Sequence, residues 1–315
     1  MSDLNVVFGT GAIGRAVAEE LVAKGKSVRM VNRSGEMKET PKGVEVVGAN
    51  LFNPSEVHEL CKQAKVVYQA AQPEYQYWEE QFPRLQQSII DGLTDNFAKL
   101  VLIENLYMYG APNGVILSEN LPYDAKTKKG KIRAELSKAA LEAHKEGKIV
   151  VTIGRGSDYF GPWGVNSSMG ERVFYPLLEG KPAQVFGRAD IPHTHTFTRD
   201  FGKALVILGE HSEADGQAWH VPNDKPRITQ AELIEHFAKE AGVKPEIKTM
   251  GKFMLMLGGL FVPDAKETIE MLYEFEQPFI VDSSKFENTF NMKATPIREA
   301  VRETLNWYRS HPRKQ

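Results

Sequence analysis

The N-terminal stretch L-N-V-V-F-G-T-G-A-I-G, Leu4 to Gly14, leaves the chain few folds to choose from. Leu4–Phe8 is a short apolar run of the kind a buried parallel strand needs, because helices cover such a strand on both faces. Gly9, Gly11 and Gly14 follow at G-x-G-x-x-G spacing. The first permits a tight turn, the second lets a pyrophosphate approach the backbone, and the third lets the next helix pack against the strand. That helix has Val17, Leu21 and Val22 on one face, and its N-terminal N–H groups and dipole attract phosphate. A dinucleotide is therefore expected on Gly9, Thr10, Gly11, Ala12, Ile13 and Gly14.

Composition narrows the partners. The 315 residues, 42% hydrophobic and 25% charged, suffice for one large domain or two smaller ones. A formal net charge of -2 argues against nucleic acid, which demands a basic excess, and points to a small-molecule substrate. Cys61 has no intrachain partner and lies in E-V-H-E-L-C-K, which reads as a helix with its thiol toward the core. No signal pattern opens the chain, and its longest apolar stretch, Phe253 to Val262, is about ten residues, half a membrane span. A cytoplasmic protein is expected, without a membrane span, as monomer or homodimer.

Further strands are expected at 27–31, 44–47, 65–69, 99–103 and 149–153, with 218–221 closing the sheet. Their alternation with helical stretches predicts an α/β fold, a Rossmann-type doubly wound parallel sheet. After Pro222 the pattern turns to helices at 230–241, 252–260, 264–275 and 297–309, with Thr229 capping the first and Thr295-Pro296 opening the last. A smaller, mainly helical C-terminal substrate domain follows. The expected boundaries are 1–154 plus about 186–222 for the cofactor domain, and about 155–185 plus 223–315 for the substrate domain.

The second strand runs into V-N-R-S-G, where no acidic residue between Val31 and Gly35 can accept a bond from the ribose 2′-OH of NAD. Arg33, between Asn32 and Ser34, offers a planar fork to a 2′-phosphate instead, which favours NADP over NAD. Asn50 and Leu51 are placed to edge the adenine, and the small Ala70 and Ala71 suit close approach to the cofactor. Tyr75, Tyr77 and Trp78 open a helix running to about Thr94 and read as core rather than substrate wall.

The order of these elements, the glycine loop, the Y-G at Tyr109–Gly110 and R-G-S-D-Y-F-G-P-W at Arg155 to Trp163 resemble the extended short-chain dehydrogenase/reductases, the NAD-dependent epimerase/dehydratase family. The resemblance covers about residues 1–225. It implies an NAD(P)-dependent reductase, epimerase or dehydratase acting on a small carbonyl, alcohol or sugar-like substrate. It also implies that Arg155–Trp163 lines the nicotinamide end, with Asp158 and Tyr159 nearest the ligand. Three features depart from the family. Asn105 stands where members carry serine or threonine, no Tyr-x-x-x-Lys pair occurs between Pro112 and Gly147, and the glycines are spaced G-x-G-x-x-G rather than G-x-x-G-x-x-G.

Lys126, Lys128, Lys129, Lys131 and Arg133 cluster in the vacant place, ahead of a helix expected over Ile132 to Lys145. Cations there oppose the helix dipole, which a solvated loop tolerates and a bound anion offsets. By helix position Lys129 and Arg133 stand in for the missing tyrosine and lysine. Tyr107 is the candidate proton donor. If the stretch after the fifth strand is extended, Asn105, Tyr107 and Tyr109 point to one side and converge on one substrate oxygen, with Lys129 or Lys131 favouring a phenolate. Tyr109 and Tyr159 are the alternative donors. The long loop from Gly110 to about Lys128 suggests a lid or binding loop. His193 and His195 share a face if extended, but spacing places no third ligand, so no metal is assigned. The missing Tyr-x-x-x-Lys pair motivates a second reading, a non-catalytic NADP(H) sensor or scaffold.

Overall fold

The computed structural model describes residues 3–258 and 267–313. It begins β1 (Leu4–Phe8), α1 (Ala12–Ala23), β2 (Ser27–Asn32), β3 (Val44–Gly48), α2 (Pro54–Cys61), β4 (Ala64–Gln69), α3 (Trp78–Leu93) and β5 (Lys99–Glu104). There follow α4 (Lys128–Lys145), β6 (Val151–Arg155), β7 (Tyr159–Phe160), α5 (Glu171–Leu178), β8 (Ala183–Phe186), β9 (Thr196–Phe197) and α6 (Thr198–Glu210). The last elements are β10 (Ala218–His220), α7 (Gln230–Ala241), β11 (Ile247–Met250), α8 (Lys252–Gly258), α9 (Ser284–Phe290) and α10 (Ile297–Ser310). The chain divides into two units. The first comprises Met1–Met108, Lys128–Arg155 and Phe201–Trp219, and the second Tyr109–Thr127, Gly156–Asp200 and His220–Gln315.

The first unit holds a seven-stranded sheet in the order β10-β6-β5-β4-β1-β2-β3. From β1 the chain builds outward through β2 and β3, then returns to the other side of β1 for β4, β5 and β6. The strand order therefore reverses between β1 and β4, where parallel pairing sets Phe8 beside Val31 of β2 and Gln69 of β4. Open α/β sheets leave their ligand crevice at such a reversal, beyond the C-terminal strand ends.

Helices cover both faces. Val6, Phe8 and Ile153 are buried with Val57 of α2, Ile89 of α3 and Ala140 of α4. Each aliphatic side chain so buried contributes about 1.5–3 kcal/mol. Cys61 lies in the same core, wholly buried, and burial pushes its thiol up to about 12. On the opposite face a Cβ at Gly154 would lie 2.5 Å from Leu205 of α6, so the glycine lets that helix seat on the sheet. Beneath the C-terminal strand ends, Arg155 Nε donates to Glu104 Oε2 at 3.0 Å and Ser137 donates to the same carboxylate at 2.7 Å. This wholly buried group ties β5, β6 and α4 together, and losing either charge would cost about 3–5 kcal/mol.

The second unit packs α5, α7 and α10 around Phe174, Phe237 and Tyr308, with ring centroids 4.5 Å apart for Phe174–Phe237 and 4.6 Å for Phe174–Tyr308. Thr229 caps α7 in a reciprocal capping box with Glu232. Two small parallel sheets, β8 with β11 and β7 with β9, add to the expected helices.

Three expectations are revised. Residues 109–127, 186–200 and 220–222 cluster with the second unit rather than the first. The physical reason is backbone pairing: Leu117 N–H donates to Ile280 at 2.8 Å, Asp282 N–H donates to Leu117 at 2.8 Å, and Thr194 N–H donates to Phe279 at 2.9 Å. Helix α4 begins at Lys128 rather than Ile132, which places Lys128, Lys129, Lys131 and Arg133 inside its first turns. Residues Ile269–Phe275 form a 3-10 helix, not the end of an α-helix. The end of the expected 252–260 helix and the start of the 264–275 helix lie outside the described residues. Among the described residues no helix is long and apolar enough to cross a membrane.

Candidate functional site

The glycine loop occupies the reversal between β1 and β4. Gly9 has φ +102°, and a Cβ there would lie 2.7 Å from the Ala71 amide nitrogen. A Cβ at Gly14 would lie 2.2 Å from the Gly9 carbonyl oxygen, whereas one at Gly11 would meet nothing within 4 Å. Two of the glycines thus let loop, strand and helix close on one another, and Gly11 faces open space. Gly11 is also the N-cap of α1 and supplies no side-chain cap, and no acidic residue stands in the first turn. The N–H groups of Ala12, Ile13 and Gly14 are left for an external acceptor at the positive end of the helix. An uncapped helix start beside open space fits a pyrophosphate.

Other sequence-derived positions surround this loop. The Ala70 N–H donates to Phe8 at 2.8 Å, and Ala70 and Ala71 wall the loop. Asn32 builds the turn after β2: its amide donates to Thr10 Oγ1 at 3.3 Å, and its side-chain oxygen accepts the Ser34 and Gly35 N–H groups at 3.1 and 2.7 Å. Arg33 is thereby presented to solvent and makes no ion pair among the described residues. Arg15, which sequence reasoning missed, is nearly buried and donates to the carbonyls of Glu39 and Lys38, pinning the 33–41 loop to α1. Asn50 is exposed and accepts the Phe52 N–H at 3.1 Å, while Leu51 turns into the core.

From Ala71 the chain runs into Gln72, and there the polar groups of α4 meet it. Arg133 Nη2 donates to Gln72 Oε1 at 3.2 Å, and its guanidinium lies 4.7 Å from the Trp78 ring and 4.5 Å from the Phe82 ring. Burial lowers the Arg133 pKa, against the opposing influence of Glu104, Tyr75 and Tyr107. Lys129, one helical turn earlier, is also buried, with Nζ 5.5 Å above the Tyr75 ring. The Tyr75 and Tyr107 hydroxyls are 3.0 Å apart. The rest of the basic cluster disperses: Lys128 pairs with Glu79 at 2.5 Å, Lys131 is exposed, and Lys126 pairs with Asp124 in the second unit.

The expected convergence of Asn105, Tyr107 and Tyr109 does not occur. The segment after β5 winds into a 3-10 turn, Tyr107–Tyr109, and sends successive side chains apart. Asn105 Oδ1 accepts the Tyr107 N–H at 3.3 Å and so shapes the turn. Tyr109 is buried in the second unit, its hydroxyl 2.9 Å from His220 Nε2. Tyr75, read from the sequence as core, takes the place beside Tyr107. Gln72 was passed over, although it follows the end of β4 at the strand-order reversal.

Tyr159 lies on β7 of the second unit, paired with Thr196. Next to it, Asp158 Oδ2 is 2.9 Å from His193 Nε2, and His193 Nδ1 is 2.9 Å from the Glu274 carbonyl oxygen. Burial alone would raise the Asp158 carboxyl, but the hydrogen bond and charge of His193, together with His195 and a hydrogen bond from Ser168, hold the group below its ordinary value. His195 does share a face with His193, with ring centroids 4.7 Å apart. Burial, then the His193 charge, pushes His195 down to about 3.

Residues 6–221 match the NAD dependent epimerase/dehydratase family. The chain belongs to that family. Membership makes this epimerase/dehydratase-family protein an NAD(P)-linked enzyme, in line with the resemblance carried by the glycine loop, Tyr109–Gly110 and Arg155–Trp163. No curated protein matches the chain. Among solved structures it is similar to the epimerase Mth375 of Methanothermobacter thermautotrophicus, at 13% identity and TM-score 0.80 over 98% of this chain and 93% of that one. It is similar to the UDP-glucuronic acid 4-epimerase of Bacillus cereus in complex with NAD, at 16% identity and TM-score 0.76 over 98% and 99%. It is also similar to the dTDP-glucose 4,6-dehydratase of Bacillus anthracis in complex with NAD, at 14% identity and TM-score 0.76 over 98% and 96%. At these identities the likeness is one of fold.

Proposed function

We propose that this chain is a cytoplasmic NADP-dependent oxidoreductase acting on a small carbonyl, alcohol or sugar-like substrate, with Tyr107 giving and taking the substrate proton. The observation that carries the reading is the 3.0 Å contact between the Tyr75 and Tyr107 hydroxyls, on a chain segment that continues directly from the wall of the glycine loop. A phenol has one proton to give. When Tyr75 donates to Tyr107, the Tyr107 hydroxyl would pass its own proton to a substrate oxygen, and the Tyr75 hydroxyl would stabilise the phenolate left behind.

Lys129 and Arg133 support that phenolate, since a nearby cation favours the charged form. Neither is asked to donate. Arg133 acts through its charge on both phenols and through Gln72, which it orients. The glycine loop and the first turn of α1 would hold the pyrophosphate, and Arg33 the 2′-phosphate. The cofactor when bound supplies the hydride. Arg33 is the ground for NADP; the two Bacillus structures named above are complexes with NAD.

The test is an NADPH oxidation assay against a panel of small aldehydes, ketones and sugar-like carbonyl compounds, run with wild type and Tyr107→Phe. Turnover by wild type that collapses in the variant supports the reading, and full activity in Tyr107→Phe refutes it.

A further inference from the structure

A cavity of about 760 Å³ lies wholly within the second unit, walled by the turn at 225–228, by α7 and by α10. Pro226, Ile228 and Val301 give it an apolar floor, and Lys225, Arg227, Lys239, Arg298 and Arg302 stand on its rim. Three carboxylates share that rim, and two of them already have partners. Glu232 accepts the Thr229 N–H at 2.9 Å in the capping box of α7, and Glu240 accepts from Arg302 at 3.1 Å. The third, Glu235, is exposed. Lys225, Arg227, Lys239 and Arg298 make no ion pair among the described residues. Five cations against three carboxylates leave the cavity two positive charges in surplus.

Local rules make that surplus costly. Arg298 sits in the first turn of α10, and Lys225 and Arg227 immediately precede α7, so all three oppose a helix dipole. The two helix starts are drawn together by Asp224, whose carboxylate accepts the Ile297 N–H at 2.8 Å. His236, in the same wall, registers the field. Its pKa is lowered by burial first, then by Lys225 and Arg298, against Glu232 and Glu235.

We propose that this cavity binds a small organic phosphate monoester, the dianionic head held by the unpaired cations and the organic body lying on Pro226, Ile228 and Val301. A phosphate monoester near neutral pH carries up to two negative charges, matching the surplus. The volume, about 760 Å³, far exceeds that of a bare phosphate and falls within the range of about 300–1,000 Å³ usual for small-molecule sites. The site is independent of the glycine loop and of the reaction proposed above.

Calorimetric titration of the full chain with ribose 5-phosphate, ribose and inorganic phosphate tests it. The expected result is sub-millimolar binding of ribose 5-phosphate, no binding of ribose, and at least tenfold weaker binding of inorganic phosphate. A Lys239→Gln/Arg298→Gln double variant should bind the ester at least tenfold more weakly, while Lys62→Gln just past the end of α2 and Gly11→Val in the glycine loop bind it as wild type does. In wild type the His236 imidazole, followed by NMR, should titrate at higher pH with the ester bound, and this readout stands whether or not the double variant folds. Equal affinity in a folded double variant, equal binding of ribose, inorganic phosphate as tight as the ester, or an unmoved His236 titration would each overturn the assignment.

Discussion

Arg133 donates to the side-chain oxygen of Gln72 across 3.2 Å, and that bond joins α4 to the segment leaving the wall of the glycine loop. The same guanidinium lies against both the Trp78 and the Phe82 ring, an arrangement that suits its flat, delocalised charge. Arg133→Lys keeps the charge and loses the stacking and the fork. It should lower stability by about 1–2 kcal/mol. Equilibrium urea unfolding measures this, and an unchanged midpoint would show that the ring contacts contribute nothing.

Catalysis should separate the two phenols. Tyr107→Phe keeps the ring and removes the proton, so turnover should fall about 10²–10⁴-fold with NADPH affinity unchanged. Tyr75→Phe should fall less, because it removes only the partner that compensates the Tyr107 phenolate. Steady-state kinetics on both variants checks the order, and a deeper loss in Tyr75→Phe would make Tyr75 the donor.

Arg33 should decide between cofactors. Loss of a charge-assisted contact to the 2′-phosphate costs about 1.5–3 kcal/mol, so Arg33→Ala should bind NADPH about ten- to a hundredfold more weakly and NADH as before. Fluorescence titration of both reduced cofactors gives the answer. Equal wild-type affinities for NADPH and NADH would assign Arg33 to the solvated surface.

The glycines of the loop should fail in different ways. Gly11 has φ -75° and open space around it, so Gly11→Val should fold and lose cofactor-induced thermal stabilisation. Gly14→Ala should instead destabilise the apo protein, since its Cβ would fall 2.2 Å from the Gly9 oxygen. Melting curves with and without NADP distinguish the two, and a Gly11→Val chain still stabilised by NADP would remove the loop from the cofactor site.

Acid should weaken the second unit through His195. Its pKa is about 3 against an ordinary 6.5, so over that interval the unfolded chain binds more protons than the folded one. The resulting stability is present above pH 6.5 and is lost as pH falls toward 3. The Asp158 carboxylate, held low beside His193, acts in the same direction below the ordinary carboxylate range. His195→Asn should therefore show a shallower loss of stability between pH 6 and 4 than wild type, measured by urea midpoints. Parallel curves would show that His195 does not contribute to acid sensitivity.

Sequence alone determined the strand, glycine loop and first helix, because turn, close approach and capping are settled within a dozen neighbouring residues. It determined the alternation of β3 to β6 with helices for the same reason, and it singled out Lys129 and Arg133 because i and i+4 share a helix face whatever that face meets. Tertiary structure decided what they meet. Tyr75 and Tyr107 are 32 residues apart in sequence, and Gln72 and Arg133 are 61 apart. No periodicity records such pairs; the parallel order of β4 and β5 brings their C-terminal ends side by side, and the residues that follow them into reach of α4. The 3-10 turn that splits Tyr107 from Tyr109 was likewise hidden, because Asn105 closes it on the Tyr107 N–H and an alternating Y-x-Y reads as a strand until that bond is seen.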